Sequence, residues 1–242
     1  MTRKFFISIL IILISAVFCG FRFDFYGFMG SSKMAEYNSA KDVFQKIHES
    51  LGYKTDMYGI NYNSGAGLKI GFDINAKWGI YVRTDYVFSG RPEDRIYYET
   101  GELYQTGNAA VDSRYIGAGA KMYFKDFIQT ASFNSFVSLD AGALICLNSH
   151  ETRTWYEKEG GMIDNAYSVY SGSAFSACVE AGADYFLTEN YGFFAAGGYR
   201  FINGRYGGRI NSLDVKALDN EETYMVPDYT GIYAKAGIFI VL

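Results

Sequence analysis

Three consecutive residues have the side-chain types that hydrolytic and acyl-transfer enzymes combine. Ser149 could serve as a nucleophile, His150 as a base and Glu151 as an orienting acid. Such groups must lie within hydrogen-bonding distance of one another to act together. Consecutive residues at the end of a strand point in different directions and cannot converge. We therefore predict no catalytic residues and no enzymatic activity.

The cysteines and histidines suggest a disulfide but no metal site. Cys146 and Cys178 have the same parity in neighbouring predicted strands, near diagonal positions if the hairpin between them closes symmetrically. An oxidising compartment would permit a disulfide, although a diagonal pair can lie beyond bonding distance. His48 and His150, the only histidines, fall in predicted loops without neighbours at ligand spacing. No metal and no cofactor are expected.

Charged side chains occupy alternate positions within otherwise apolar stretches of the chain. Six are positive and six are negative: Arg22, Asp24, Lys69, Asp73, Arg83, Asp85, Lys121, Asp140, Glu180, Asp184, Arg200 and Lys235. If this face is buried, the charges must be paired and hydrogen-bonded. The expected pairs are Arg22 with Asp24 or a neighbour on the last strand, Lys69 with Asp73 or Asp85, Lys121 with Asp140, and Arg200 with Asp184.

Eight segments with a two-residue alternation must position these charges. They cover residues 21–30, 65–75, 78–88, 112–124, 135–148, 173–187, 191–201 and 228–242. Their other face carries no charge, with aromatic residues toward the strand ends and Ala, Ile, Val and Leu in the middle. This distribution is typical of strands with a lipid-facing band between aromatic girdles. The sequence predicts an all-β protein, a transmembrane antiparallel up-and-down β-barrel of eight strands over residues 20–242.

The connections between these segments alternate in length. Those at residues 76–77, 125–134 and 188–190 are short, whereas the other four each exceed twenty residues. Short turns on one side and long loops on the other are typical of outer-membrane barrels, with the long loops outside the cell. A helix is predicted over residues 37–51 in the first long loop, where Ala40, Val43, Phe44, Ile47 and Leu51 form one apolar stripe. We expect this helix to pack over the barrel mouth.

The first nineteen residues have the layout of a cleaved signal peptide. Arg3 and Lys4 precede an apolar run from Phe5 to Val17, which is too short for a comfortable membrane span before Arg22. Cleavage is expected near Cys19 or Gly20. A lipidated Cys19 is the rival interpretation, but Phe18 stands where such sites need a small residue. Export of the mature chain is predicted.

Composition excludes two broad classes of protein. The chain is 49% hydrophobic and 18% aromatic, too apolar for intrinsic disorder. Its formal net charge of −4 gives no basic surplus for nucleic acid. A soluble lipocalin-like barrel would place the apolar face inside, but eight strands enclose too little space for so many aromatic side chains.

The chain resembles the small eight-stranded outer-membrane barrels grouped with OmpA, OmpX, OmpW and the opacity proteins. The resemblance rests on the opening strand FRFDFYGFMG, the loop asymmetry and the closing strand YTGIYAKAGIFIVL. It implies contact with outer-membrane lipid and lipopolysaccharide in a Gram-negative cell envelope, and insertion by the barrel-assembly machinery as a monomer. One departure is Leu242, where the family usually ends in Phe.

Two functional hypotheses follow from the balanced charges. The first is a closed structural barrel that displays extracellular loops for envelope integrity or for contact with an extracellular ligand. The second, implied by the OmpW resemblance, is a narrow porin-like channel for small or hydrophobic molecules. Some barrels of this size modify lipid A. This activity is a remote third hypothesis, because the side chains of Ser149, His150 and Glu151 cannot converge.

Overall fold

The computed structural model describes residues 20–89, 93–124, 132–203 and 228–242. The predicted signal peptide, residues 1–19, lies outside the described residues. In chain order the elements are β1 (Phe21–Ser31), α1 (Ala35–Ser50), β2 (Lys54–Asp56), β3 (Tyr62–Asp73), β4 (Trp78–Ser89), β5 (Glu93–Tyr97), β6 (Leu103–Ala110), β7 (Asp112–Phe124), β8 (Phe133–Tyr156), β9 (Met162–Phe186), β10 (Tyr191–Asn203) and β11 (Gly231–Val241).

Eight of these strands close into an antiparallel barrel. Their order around the wall is β1, β3, β4, β7, β8, β9, β10 and β11, and β11 pairs with β1 to complete the circle. The register aligns Asp24 with Lys69 on one side and with Phe239 on the other. Closure leaves no free edge in the barrel wall, as lipid requires. The predicted eight-stranded antiparallel barrel is confirmed.

The two faces of each strand meet different surroundings. Phe25, Val82 and Ile232 are exposed on the outside, whereas Arg83 and Glu180 are almost completely buried inside. An outer surface of Phe, Val, Ile and Leu around a charged interior suits a lipid bilayer, because only hydrocarbon favours that arrangement. This chain is an outer-membrane β-barrel. Among the described residues, no helix is long and apolar enough to cross a membrane.

Residues expected to form extracellular loops instead extend the sheet beyond the barrel. β8 and β9 stay paired up to Tyr156 and Met162, past a bulge between Cys146 and Ser149. β6 pairs with the upper part of β8, β5 pairs with β6, and β2 pairs with β5. Strands that leave the membrane have water nearby and need no continuous apolar face, so alternation alone did not reveal them.

Helix α1 packs against this extension, but through a different face from the one predicted. The helix ends at Ser50, shortly before Gly52, whose φ of +87° suits glycine. Phe44 lies toward Arg153 of β8, while Val43, Ile47 and Leu51 are 55%, 50% and 68% exposed. The predicted single stripe of packed apolar residues was therefore wrong for these three positions. The side chain of Ala40 lies outside the description.

Candidate functional site in the barrel lumen

Glu180 of β9 is the centre of the largest charge cluster in the lumen. Alternation on β9 turns this side chain inward, where it is fully buried. Its carboxylate accepts hydrogen bonds from Lys69 Nζ at 2.7 Å, Arg83 Nη1 at 2.7 Å, Lys235 Nζ at 2.5 Å, Tyr233 Oη at 2.6 Å and Ser138 Oγ at 3.0 Å. These donors stand on four strands other than β9, so one carboxylate joins much of the barrel wall.

Arg83 of β4 connects Glu180 to two further carboxylates. Its guanidinium lies 2.6 Å from Asp85 Oδ2 and 3.1 Å from Asp140 Oδ2. Tyr26 donates to Asp85 and Tyr115 donates to Asp140, at 2.5 and 2.6 Å. A buried ion pair is tolerable when hydrogen bonds satisfy the remaining oxygen lone pairs, and these hydroxyl groups supply them.

A second cluster lies nearer the periplasmic end. Arg22 donates from Nε to Asp24 at 2.5 Å, and from Nη1 and Nη2 to Asp184 at 2.5 and 3.0 Å. Lys121 Nζ reaches the same Asp184 carboxylate at 2.9 Å. The Arg22 guanidinium also lies 4.0 Å from the centre of the Phe239 ring. Two cations and two carboxylates therefore balance one another here.

The structure brings the predicted charged residues together, with partners that differ in part from the expected ones. Arg22 pairs with Asp24 as predicted. The other predicted pairings were wrong: Lys69 binds Glu180, Lys121 binds Asp184, Asp140 binds Arg83, and Arg200 binds Asp85. The expected partners were sequence neighbours or lay on adjacent strands. The pairs of Lys69 with Glu180 and of Arg200 with Asp85 instead join strands on opposite sides of the lumen. The pairs of Lys121 with Asp184 and of Arg83 with Asp140 join strands that are two apart in the wall.

The remaining predicted lumen acid, Asp73, lies at the periplasmic end. Within the described part of the chain it has no ion pair, and it lines a cavity together with Arg22, Asp24, Lys121 and Tyr123. The space that the centre of a water molecule can occupy there is about 20 Å³, enough for about one water.

Several tyrosines of the network were absent from the sequence prediction. Tyr26, Tyr81, Tyr115, Tyr123 and Tyr233 all lie within the lumen clusters. Each stands at the same strand parity as the neighbouring predicted charges, which is the signal that could have found them.

Gly67 of β3 shows why the charged face also carries glycines. A Cβ atom at this position would lie 2.5 Å from Cζ of Tyr26 and would also collide with the carboxylate of Asp85. The missing side chain leaves room for the hydrogen bond between these two groups.

The structure contradicts the predicted disulfide. Cys178 is a free, buried cysteine that lies opposite Asp140, whereas Cys146 lies opposite Gly172. Cys178 lies six residues along β9 from Gly172, the residue opposite Cys146. Six residues of a strand span about 20 Å. Cα atoms in a disulfide lie within about 7 Å. The prediction failed because the register of the hairpin places Cys178 opposite Asp140 and away from Cys146.

Apolar side chains cover the extracellular side of the charged lumen. They include Met34 before α1, Ile60, Val87, Val111, Leu144 and Tyr229. Tyr229 donates a short hydrogen bond to the carbonyl oxygen of Val111, which fixes its ring across the mouth.

The remaining chemical candidates add no assembled site. Across residues 20–89, 93–124, 132–203 and 228–242, no group of three His, Cys, Asp or Glu side chains is arranged to hold a metal. His48 instead packs between the rings of Phe44 and Tyr53. The side chains of Ser149, His150 and Glu151 lie outside the description.

Comparison with known proteins finds similarity in fold only. No protein-family model matches the chain, and no curated protein matches its sequence. Among solved structures, OprG of Pseudomonas aeruginosa is 11% identical with a TM-score of 0.48, over 93% of this chain and 96% of that one. The attachment invasion locus protein Ail of Yersinia pestis, in complex with sucrose octasulfate, is 13% identical with a TM-score of 0.38, over 92% and 99%. The outer membrane protease OmpT of Escherichia coli is 11% identical with a TM-score of 0.41, over 92% and 97%.

Proposed function

We propose that this protein is a closed, non-conducting barrel without enzymatic activity, which holds an extracellular sheet and helix for contacts at the cell surface. It spans the membrane as a monomer among lipid and lipopolysaccharide, after insertion by the barrel-assembly machinery. The contacts serve envelope integrity or bind an extracellular ligand.

The contact between Lys69 and Glu180 carries the closed-barrel part of the proposal. β3 and β9 are four strands apart in both directions around the wall, so these residues project from opposite sides. Their side chains nevertheless meet at 2.7 Å. Arg200 of β10 and Asp85 of β4 span the lumen in the same way at 3.4 Å. Side chains that bond across the full width of an eight-stranded barrel leave no room for a wide water path.

The structure above the membrane supports the surface-contact part of the proposal. β2, β5, β6, β8 and β9 continue as one hydrogen-bonded sheet, so the surface is held by backbone pairing. Helix α1 presents an exposed apolar row formed by Val43, Ile47 and Leu51. Two further side chains are exposed: Tyr58, shortly after β2, and Met162, at the tip of β9. Exposed apolar groups on a rigid support are common features of interaction surfaces.

Single-channel conductance in planar bilayers tests the closed barrel. The refolded protein is first checked for heat-modifiable mobility on a gel. The natural sequence should then give no reproducible current steps. An Arg83→Ser/Glu180→Ser variant, which removes two side chains from the middle of the lumen, serves as the matched control and should conduct if it folds. Salt-dependent steps from the natural sequence would instead support the narrow porin-like channel.

A further inference from the structure

Three buried groups that can donate hydrogen bonds lie together on the lumen side of β9 and β10. Arg200 stands directly opposite Cys178, and Ser176 follows two residues further toward the extracellular end. The exposed fractions are 2% for Arg200, 1% for Cys178 and 0% for Ser176. Groups at directly opposed and diagonal positions of paired strands lie about 5 to 8 Å apart, close enough to share one small ligand.

Two of these donors lack an acceptor. Among the described residues, neither Nε of Arg200 nor Oγ of Ser176 has a hydrogen-bond partner. The ion pair of Arg200 is a single contact of 3.4 Å between Nη2 and Asp85. The rings of Phe28 and Tyr233 lie 5.2 and 5.3 Å from its guanidinium carbon. Buried donors of this kind are costly when they stay unpaired.

The charge balance around Arg200 points to an anion. The ion pairs that connect through Glu180, Arg83 and Asp85 include four cations and three carboxylates: Lys69, Arg83, Arg200 and Lys235 with Asp85, Asp140 and Glu180. Asp85 is already held by the guanidinium of Arg83 at 2.6 Å, so Arg200 shares its carboxylate with a second cation. Water could accept the two hydrogen bonds, whereas an anion would accept them and also balance the extra positive charge of the cluster.

The surroundings favour a small monovalent anion. Phe28, Leu144, Ala174 and Tyr229 belong to the apolar layer between this region and the extracellular medium. We infer that the lumen binds a halide-sized monovalent anion, chloride in the natural setting, between Nε of Arg200 and Oγ of Ser176, beside the Cys178 thiol. The anion completes the charge network and stabilises the closed barrel. This inference concerns the interior of the barrel and goes beyond the proposed surface role.

Bromide is the probe, because its anomalous scattering identifies it in a crystal. The protein is refolded in sodium bromide or in sodium gluconate at equal ionic strength, so that the closed lumen does not limit access. We expect an anomalous peak within hydrogen-bonding distance of both Arg200 and Ser176. Bromide and chloride should also raise the unfolding temperature above its value in gluconate. A scattering peak without anomalous signal at that position would identify water and overturn the inference.

Ser176→Ala removes one donor without changing the charge of the lumen. We expect it to weaken halide binding about tenfold and to abolish most of the halide-dependent rise in unfolding temperature. Ser138→Ala is the matched control, because Ser138 is equally buried but donates to Glu180. Ser138→Ala should lower the unfolding temperature equally in bromide, chloride and gluconate. It should therefore keep the halide-dependent rise in unfolding temperature. If Ser176→Ala keeps the halide-dependent rise in unfolding temperature, the anion site is refuted. This outcome is independent of the conductance that tests the closed barrel.

Discussion

Lys41 of α1 lies with its Nζ atom 2.7 Å from Oδ2 of Asp94 on β5, and both side chains are nearly buried above the membrane. The same Nζ donates to the carbonyl oxygen of Tyr58 at 2.7 Å, and Asp94 accepts from the amide of Tyr58 at 3.1 Å. Two charges thus join the helix, the chain after β2 and the hairpin of β5 and β6. This small network is a buried polar attachment of α1 to the extracellular sheet.

Lys41→Met should release α1 while the barrel stays folded. The variant leaves Asp94 buried without its cation, which costs about 3 kcal/mol when one partner of a buried pair is lost. Hydrogen exchange in α1 and β2 should accelerate, with unchanged exchange in β1 and β11. Arg95→Gln is the matched control, because the Arg95–Glu93 pair is about half exposed and contributes about 0 to 1 kcal/mol. Equal protection of α1 in both variants would contradict this role of Lys41.

The pairing of Lys121 with Asp184 rather than with Asp140 can be measured by two double-mutant cycles. Lys121→Met combined with Asp184→Asn should show a coupling free energy of about 1 to 3 kcal/mol in unfolding. Lys121→Met combined with Asp140→Asn should be closer to additive, because Asp140 is held by Arg83, Tyr81 and Tyr115. Urea unfolding in lipid vesicles provides the measurement. A larger coupling free energy in the cycle with Asp140 than in the cycle with Asp184 would support the pair of Lys121 with Asp140 that the sequence predicted.

The barrel could be predicted from the sequence because lipid constrains every second residue of every spanning strand. Lys69, Arg83 and Glu180 were therefore assigned to the lumen without any knowledge of contacts. Their partners could not be assigned, since closure of the wall decides which strands face one another. Lys69 meets Glu180 only because β3 and β9 end up on opposite sides.

The extracellular part was predicted less well for a related reason. The stretches that form β5, β6 and the upper parts of β8 and β9 do not face lipid, so no apolar alternation marks them. In α1, the expected apolar stripe gave way to burial of Lys41, because the Asp94 carboxylate offered a specific partner. Pairing between distant segments, rather than local pattern, determines this region.

Gly67→Ala tests the close contact between β3 and the network around Asp85. The added Cβ would collide with Tyr26 and Asp85, and overpacking of this kind costs about 1 to 3 kcal/mol. Gly27→Ala is the matched control on the outer face, where the nearest atom to a new Cβ is the Gly65 carbonyl oxygen at 3.7 Å. Its effect on the free energy of unfolding should stay within about 0.5 kcal/mol. A larger loss for Gly27→Ala than for Gly67→Ala would contradict the packing described for the lumen.

The extracellular helix also contains a carboxylate whose titration reports the contact of α1 with β2. Glu49 accepts hydrogen bonds from Gln45 Nε2 at 2.7 Å and from Thr55 Oγ1 at 2.8 Å. The hydrogen bond from Gln45, followed by that from Thr55, lowers the pKa of Glu49 below its usual value. Since the folded state favours the ionised form, this contribution to the stability of the contact is present above the usual pKa of Glu. It is lost as the pH falls through the lowered pKa of the folded state.

An NMR titration of the Glu49 side chain in detergent micelles provides the measurement. The natural sequence should titrate below the usual range for Glu. Gln45→Ala should raise the pKa of Glu49 toward that range, because it removes the larger of the two hydrogen-bond effects. Glu102 is the internal control: its pKa is lowered by a hydrogen bond from Thr100, on a different turn, and should not move. If Gln45→Ala leaves the pKa of Glu49 unchanged, or shifts the pKa of Glu102 by the same amount, the packing of α1 rather than this hydrogen bond sets the pKa of Glu49.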